Sequence, residues 1–212
     1  MYNHRDSLYP LLDKINNNAD TPVIIVNDGS TDGLDQTKLG SAVFLEHSEN
    51  RGKGAALKTG LNHAREAGYS HAITLDADGQ HDPELLPFFN HMLQTHPKYF
   101  IVGSRDLTDR SMPFHRKLSN NITSLMLSLR TGKKILDAQV GYRCYPLNDR
   151  QLWNSIEDGF QFESDVFIRA ARMKYALAWQ PISVIYSGQR SNMHLVKDTL
   201  RFVRTYLRSF VC

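Results

Sequence analysis

Short apolar, β-branched runs alternate along this chain with stretches whose apolar residues return every three or four positions. The runs at residues 22–26, 42–46, 71–75 and 99–103 predict strands, each followed by a loop or a helical pattern. In residues 52–67, Ala55, Ala56, Leu57, Leu61 and Ala64 fall near helical spacing, and Gly68 supplies a C-terminal stop. Asp82 before Pro83 reads as an N-cap for a helix running to Leu93. Helices are also predicted at 116–129 and 163–174, and an extended segment interrupted by Pro181 at 176–186. Strands alternating with helices predict an α/β fold with a mostly parallel sheet.

The last stretch, residues 194–212, puts Leu200, Val203, Leu207 and Phe210 on one helical face and Arg201, Arg204 and Arg208 on another. Such a basic amphipathic helix has two readings. Its apolar face covers the sheet and its arginines are solvated, or it lies on a membrane surface. It is set apart here as residues 194–212, following a main domain at residues 1–193.

At 212 residues the chain has the size of one domain. Its 25 basic and 22 acidic residues leave a net charge of +3, too mild to predict nucleic acid as a partner. Two cysteines, Cys144 and Cys212, imply neither a disulfide framework nor a thiolate metal site. No apolar run reaches the roughly 20 residues of a membrane span, and the first residues lack a signal-peptide core. A cytoplasmic location, peripheral to a membrane at most, is the expectation.

Chemistry concentrates where predicted strands end. In AITLDADGQHDPELL an apolar run delivers Asp76 and Asp78 into a turn, with Gln80 and His81 close by. Ligands of open α/β sheets bind beyond the carboxyl ends of strands, and two carboxylates there suit Mg²⁺ or Mn²⁺ completed by substrate phosphates. Aspartates also favour such turns for conformational reasons alone. In VIIVNDGSTDGLD the strand delivers Asp28, an acceptor for the donor edge of a nucleobase, or else a member of a capped turn. In ENRGKGAALKTGL, Arg51 and Lys53 flank glycines at a helix start, a setting that favours an anion.

Taken together and in this order, the three segments resemble the family-2 nucleotide-sugar glycosyltransferases of GT-A fold, in particular the dolichyl- or polyprenyl-phosphate sugar synthase branch. The resemblance continues through IVGSRD, HRKLSNNITSLML, DAQVGYRCYP, GFQFESD and PISVIYSGQRSN, and Tyr2-Asn3 resembles the end of the family's opening element. The apolar strand that usually precedes that element is missing from this sequence. What the resemblance implies is a Rossmann-like sheet flanked by helices and an inverting transfer of a sugar from a nucleotide diphosphate sugar, GDP-mannose or UDP-glucose, to a polyprenyl phosphate. It further implies that Tyr2, Asp28 and Lys53 hold the nucleotide, and that Asp76, Asp78 and Gln80 organise Mg²⁺ or Mn²⁺. Arg105, Arg116 and Arg190 would gather phosphates, and Gln161, Glu163 and Asp137 would line the acceptor side.

Two alternatives follow. A saccharide hydroxyl acceptor would need a carboxylate to take its proton, with Glu163, Asp165 and Asp137 as candidates. A chain lacking the opening strand could instead bind nucleotide sugars without turnover.

Overall fold

The computed structural model describes residues 1–18, 21–96, 98–107, 112–183 and 195–211. Helix α1 (Arg5–Asn18) leads into strand β1 (Ile24–Asp28), followed by β2 (Val43–His47), helix α2 (Lys53–Glu66) and β3 (His71–Thr74). Helix α3 (Leu86–Thr95), β4 (Tyr99–Arg105), α4 (Phe114–Thr131) and β5 (Arg143–Pro146) come next. Helix α5 (Phe162–Arg172), β6 (Ala176–Ile182) and α6 (Leu195–Arg208) complete the order.

The strands fall into two sheets. β1 and β2 pair in parallel, while the other four run in the order β3-β5-β4-β6. β4 and β6 are parallel, and β5 is antiparallel to both of its neighbours. The sequence analysis assigns no strand at β5, which is four residues long and buried on both faces, so no polar alternation marks it. Pro181 lies inside β6, which pairs only with β4 within its sheet, so its missing N–H removes no central ladder bond.

Among the described residues β1 and β3 belong to different sheets. Leu8, Leu11, Leu12 and Ile15 give α1 one buried face. The sequence analysis assigns no helix there, because Pro10 interrupts the pattern, yet early in the helix Pro10 removes only one ladder bond. Asp82 caps a short 3₁₀ turn, accepting the Glu84 N–H at 3.1 Å, before α3 begins.

The larger sheet carries the core: Phe100, Ile101, Val102, Cys144 and Tyr145 pack with Phe162, Val166 and Phe167 of α5. Arg143 is fully buried within it. Its guanidinium donates to the carbonyls of Val140 (2.8 Å), Ala138 (2.9 Å) and Glu163 (2.8 Å) and lies over the Phe167 ring. One side chain thereby ties the 138–140 loop to the start of α5, with its charge compensated by hydrogen bonds.

α6 reverses the expectation that its apolar face covers the sheet. Asp198, Thr205 and Ser209 are buried against the body, whereas Leu200 (65% exposed), Leu207 (60%) and Phe210 (63%) face water. Arg208 reaches Glu157 at 2.6 Å, and Arg130 and Arg172 both donate to the Ser209 carbonyl. The polar face is the docked one because these ion pairs and hydrogen bonds lie on that side.

Candidate active site

β1 delivers Asp28 into a buried cage rather than open solvent. Oδ1 accepts His47 Nδ1–H at 2.6 Å and the Arg51 N–H at 3.0 Å, and Oδ2 accepts the Gly52 N–H at 2.8 Å. His47 Nε2 lies 2.9 Å from Thr59 Oγ1 on α2. Asp28 therefore shapes the loop that opens α2, and one lone pair of Oδ2 is left for a ligand donor. Gly52 sits at φ +103°, and a Cβ there would strike the Asp158 carbonyl, so only glycine brings the loop this close.

That loop sends Lys53 across the cleft. Its ammonium lies 2.8 Å from Asp76 Oδ1, at the tip of β3, and 3.1 Å from Glu163 Oε2, in the first turn of α5. Burial disfavours both charges of the Lys53–Asp76 pair. For Lys53 the Asp76 and Glu163 carboxylates outweigh burial and raise its pKa above the ordinary lysine value. For Asp76, Lys53 and then His81 outweigh burial and hold the carboxyl well below the usual aspartate range. Asp76 also packs directly on Gly141, where any Cβ would overlap its carboxylate. Asp76 thus rests on the same 138–141 loop that Arg143 anchors.

Asp78 and Gln80 line the same cleft, and Asp78 Oδ1 accepts the Gln80 N–H at 3.0 Å. Tyr2 lines it as well, carried by a segment pinned to the loop after β1: Asn3 N–H donates to Ser30 Oγ and Thr31 N–H to Asn3 Oδ1. Arg116 lines it from the first turn of α4. The continuous cavity measures about 1960 Å³.

Asp137 is fully buried and held by Arg105 through two bonds, Nε to Oδ2 at 2.7 Å and Nη2 to Oδ1 at 2.8 Å. A carboxylate paired with a guanidinium in this way is less available as a proton acceptor than a free one. Asp165 is likewise held, by Arg169 at 2.7 Å and the Ser155 hydroxyl at 2.6 Å. Gln161 donates to Glu157 at 2.8 Å, and Gln161 Oε1 and Glu163 Oε1 are buried without a hydrogen-bond partner. Arg190 lies outside the described residues.

The structure therefore brings Lys53, Asp76, Asp78, Gln80, Arg116, Gln161 and Glu163 to one cleft, which Tyr2 and Asp28 also line. Sequence reasoning missed His47 and Arg143. His47 sits in a strand that gives no sign of a partner, and an arginine among CYP residues carries no spacing signal. Among the described residues no group of three His, Cys, Asp or Glu side chains could hold a metal alone. Two carboxylates with a ligand diphosphate still meet the needs of Mg²⁺ or Mn²⁺, and the Lys53 ammonium already places a cation on Asp76.

Known proteins match this geometry. An N-acetylglucosaminyltransferase of Methanococcus voltae, named for UDP-N-acetylglucosamine and dolichyl phosphate, is 27% identical over 209 residues, covering 88% of this chain and 83% of its own. The undecaprenyl-phosphate mannosyltransferase of Micrococcus luteus is 28% identical over 197 residues, covering 87% and 80%. Glucosyl-3-phosphoglycerate synthase from Mycobacterium tuberculosis, solved with UDP, superposes with a TM-score of 0.77 at 18% identity, over 99% of this chain and 77% of that one. The same enzyme solved with Mn²⁺ and UDP-glucose also gives 0.77. These likenesses establish the GT-A fold. The family model described as glycosyl transferase family 2 matches residues 1–148, more than two thirds of the 212, so the chain belongs to that family of glycosyltransferases.

Proposed function

We propose that the protein moves a sugar from a nucleotide diphosphate sugar to a polyprenyl phosphate, with inversion at the anomeric carbon. One observation carries the choice of acceptor: the described carboxylates of the acceptor wall are all engaged by cations. Asp137 is held by Arg105, Glu157 by Arg208, Asp158 by Lys58, Glu163 by Lys53 and Asp165 by Arg169. A saccharide hydroxyl needs a free base, whereas a phosphate monoester oxygen is anionic at neutral pH and needs none. The names of the two relatives above, both polyprenyl- or dolichyl-phosphate transferases, support the same acceptor.

Asp76 and Asp78, with Gln80 beside them, would hold Mg²⁺ or Mn²⁺ against the donor diphosphate. When bound, the metal supplies positive charge to the departing nucleoside diphosphate. Tyr2 and the last Oδ2 lone pair of Asp28 face the base and ribose. Arg116 orients the acceptor phosphate, whose oxygen forms the new bond to the anomeric carbon. The anomeric C–O bond breaks and its electron pair leaves with the diphosphate. Lys53, which lies on Asp76 and Glu163 in the cleft, would face that developing charge.

The rim suits a lipid. α4 exposes Phe114, Leu118, Ile122, Leu125 and Leu129 as one stripe, and α6 exposes Leu200, Leu207 and Phe210, with Arg204 also in water. Leu118 and Ile122 of α4 and Val203 of α6 line the active cavity. Among the described residues no helix is long and apolar enough to cross a membrane. Apolar stripes beside basic residues would seat the protein on an anionic bilayer from the side, which supports reading it as peripheral to a membrane, at the cytoplasmic face.

The test is a donor panel including GDP-mannose and UDP-glucose, offered undecaprenyl phosphate or simple saccharides, with Mn²⁺, with Mg²⁺ and with EDTA. Metal-dependent transfer to the lipid phosphate alone is expected. Transfer to saccharides only would overturn the acceptor, and tight donor binding without turnover would favour a binding protein.

A further inference from the structure

The first turn of α1 touches two loops that are far apart in the chain. Its opening backbone N–H, that of Arg5, donates to Asp32 Oδ2 at 2.8 Å, and the Arg5 guanidinium donates to the Asp32 carbonyl at 2.8 Å. The first amides of a helix need acceptors from outside it, and here one comes from the loop after β1. Asn3, bonded to Ser30 and Thr31, fixes the same segment just ahead of the helix. The start of α1 is therefore registered against the loop that Asp28 opens.

On the same turn, Ser7 departs from the usual behaviour of a helical serine, whose hydroxyl commonly bonds a carbonyl three or four residues back. Ser7 Oγ lies 3.1 Å from the His4 carbonyl but 2.6 Å from the carbonyl of Ala77. A hydroxyl has one proton to give, and the shorter contact takes it. Gly79, at φ +72°, closes against the same side chain, since a Cβ there would stand 3.7 Å from Ser7 Cβ. α1 also packs on the 3₁₀ turn Pro83–Leu85 that follows.

Ala77 stands between Asp76 and Asp78. Its carbonyl shares one planar peptide with the nitrogen and Cα of Asp78, so the direction of that carbonyl fixes the direction in which Asp78 leaves the chain. Asp76 is steered from elsewhere, by Lys53 at 2.8 Å and by its packing on Gly141. Asp78 accepts the Gln80 N–H at 3.0 Å, a bond inside the turn that moves with the turn. The Ser7 hydroxyl holds the Ala77–Asp78 peptide from outside it.

We propose that Ser7 is a positioning residue for Asp78. Its hydroxyl keeps the Ala77–Asp78 peptide in the orientation that lets Asp76 and Asp78 meet one divalent cation, and through α1 it sets that pair against the Asp28 loop. The proposal rests on the reading of Asp76 and Asp78 as metal ligands given above. Ser7 acts through the Ala77 backbone and not by touching substrate, so its loss belongs with that of other outer contacts of a metal site, about 10- to 100-fold in metal affinity.

The test is Mn²⁺ titrated by calorimetry into wild type, Ser7→Ala and Ser7→Thr, each saturated with UDP and, separately, with GDP. Ser7→Ala should bind Mn²⁺ about tenfold more weakly. Ser7→Thr, which keeps the hydroxyl, should recover the wild-type affinity. Nucleotide affinity without metal should not change, and Tm of Ser7→Ala should fall by no more than about 4 °C. A lower Tm with Mn²⁺ affinity intact would make Ser7 merely structural and overturn the proposal. Equal weakening in both variants would overturn it too, because the effect would not come from the hydroxyl, as would a loss of metal-free nucleotide affinity, which reports a loosened α1. A wild type that binds no Mn²⁺ with either nucleotide would overturn the metal reading and this proposal together, which sets that failure apart from a failure of Ser7 alone.

Discussion

Lys53 Nζ lies 2.8 Å from Asp76 Oδ1, so a cation from the start of one helix sits on the acid at the tip of a neighbouring strand. The same ammonium reaches Glu163 at 3.1 Å. It neutralises the two acids that face each other across the cleft, and a divalent ion held by Asp76, as proposed, would have to compete with it.

Replacing Lys53 with Met leaves those two acids facing each other uncompensated. Stability should fall by about 2 kcal/mol by chemical denaturation, less than for a fully dry pair because both Lys53 and Asp76 keep some contact with water. Without the competing ammonium, Mn²⁺ alone should bind about tenfold tighter by calorimetry, while turnover drops.

The pH response follows from the same pair. Asp76 is depressed below its ordinary 3.8, so its contribution is present above that value and is lost as pH falls through the lower folded value. Lys53 is raised above 10.5, so its contribution is present below that value and is lost as pH rises through the higher folded value. The pair should add no slope to stability between about pH 5 and 9. Comparing denaturation midpoints of wild type and Lys53→Met across that range checks this.

Asp78→Asn should keep the fold and reduce kcat by about 100-fold or more, with residual activity shifted to higher Mn²⁺ concentration. A metal titration of turnover, alongside an unchanged circular dichroism spectrum, decides it.

Gly141→Ala pushes on the Asp76 carboxylate, a proposed metal ligand, without replacing it. A shift near 1 Å at that acid should lower kcat about 100-fold, and donor binding measured without metal should change little.

Leu207→Glu should weaken vesicle binding about tenfold, because it places charge on the exposed stripe of α6. Arg204→Glu should weaken binding to anionic vesicles but not neutral ones. Arg208→Glu should instead lower Tm, since that side chain pairs with Glu157. Co-sedimentation and thermal melts separate the three outcomes.

The strands and helices with strong periodicity, such as β1, β2, β4 and α2, are legible in the sequence because period and burial agree there. The tip acids Asp76 and Asp78 are legible too, since an apolar run stops at them. The surroundings of Asp137 are not legible for a physical reason: its burial depends on a partner, Arg105, 32 positions away, which no local pattern reports. α6 misleads, because amphipathicity gives two faces and does not say which one docks. His47 and Arg143 are invisible for the same cause, being functional only through contacts made after folding.

Arg143 has a consequence for selectivity. Its planar fork spans three main-chain oxygens, a reach that a lysine ammonium cannot reproduce. The wall it braces arrives rigid before any substrate does, so it offers every incoming molecule the same shape. With the proposed polyprenyl-phosphate acceptor, discrimination between long and short isoprenoid tails would fall to the outward stripes of α4 and α6, and exchanging those two helices between relatives would be the direct route to retuning it.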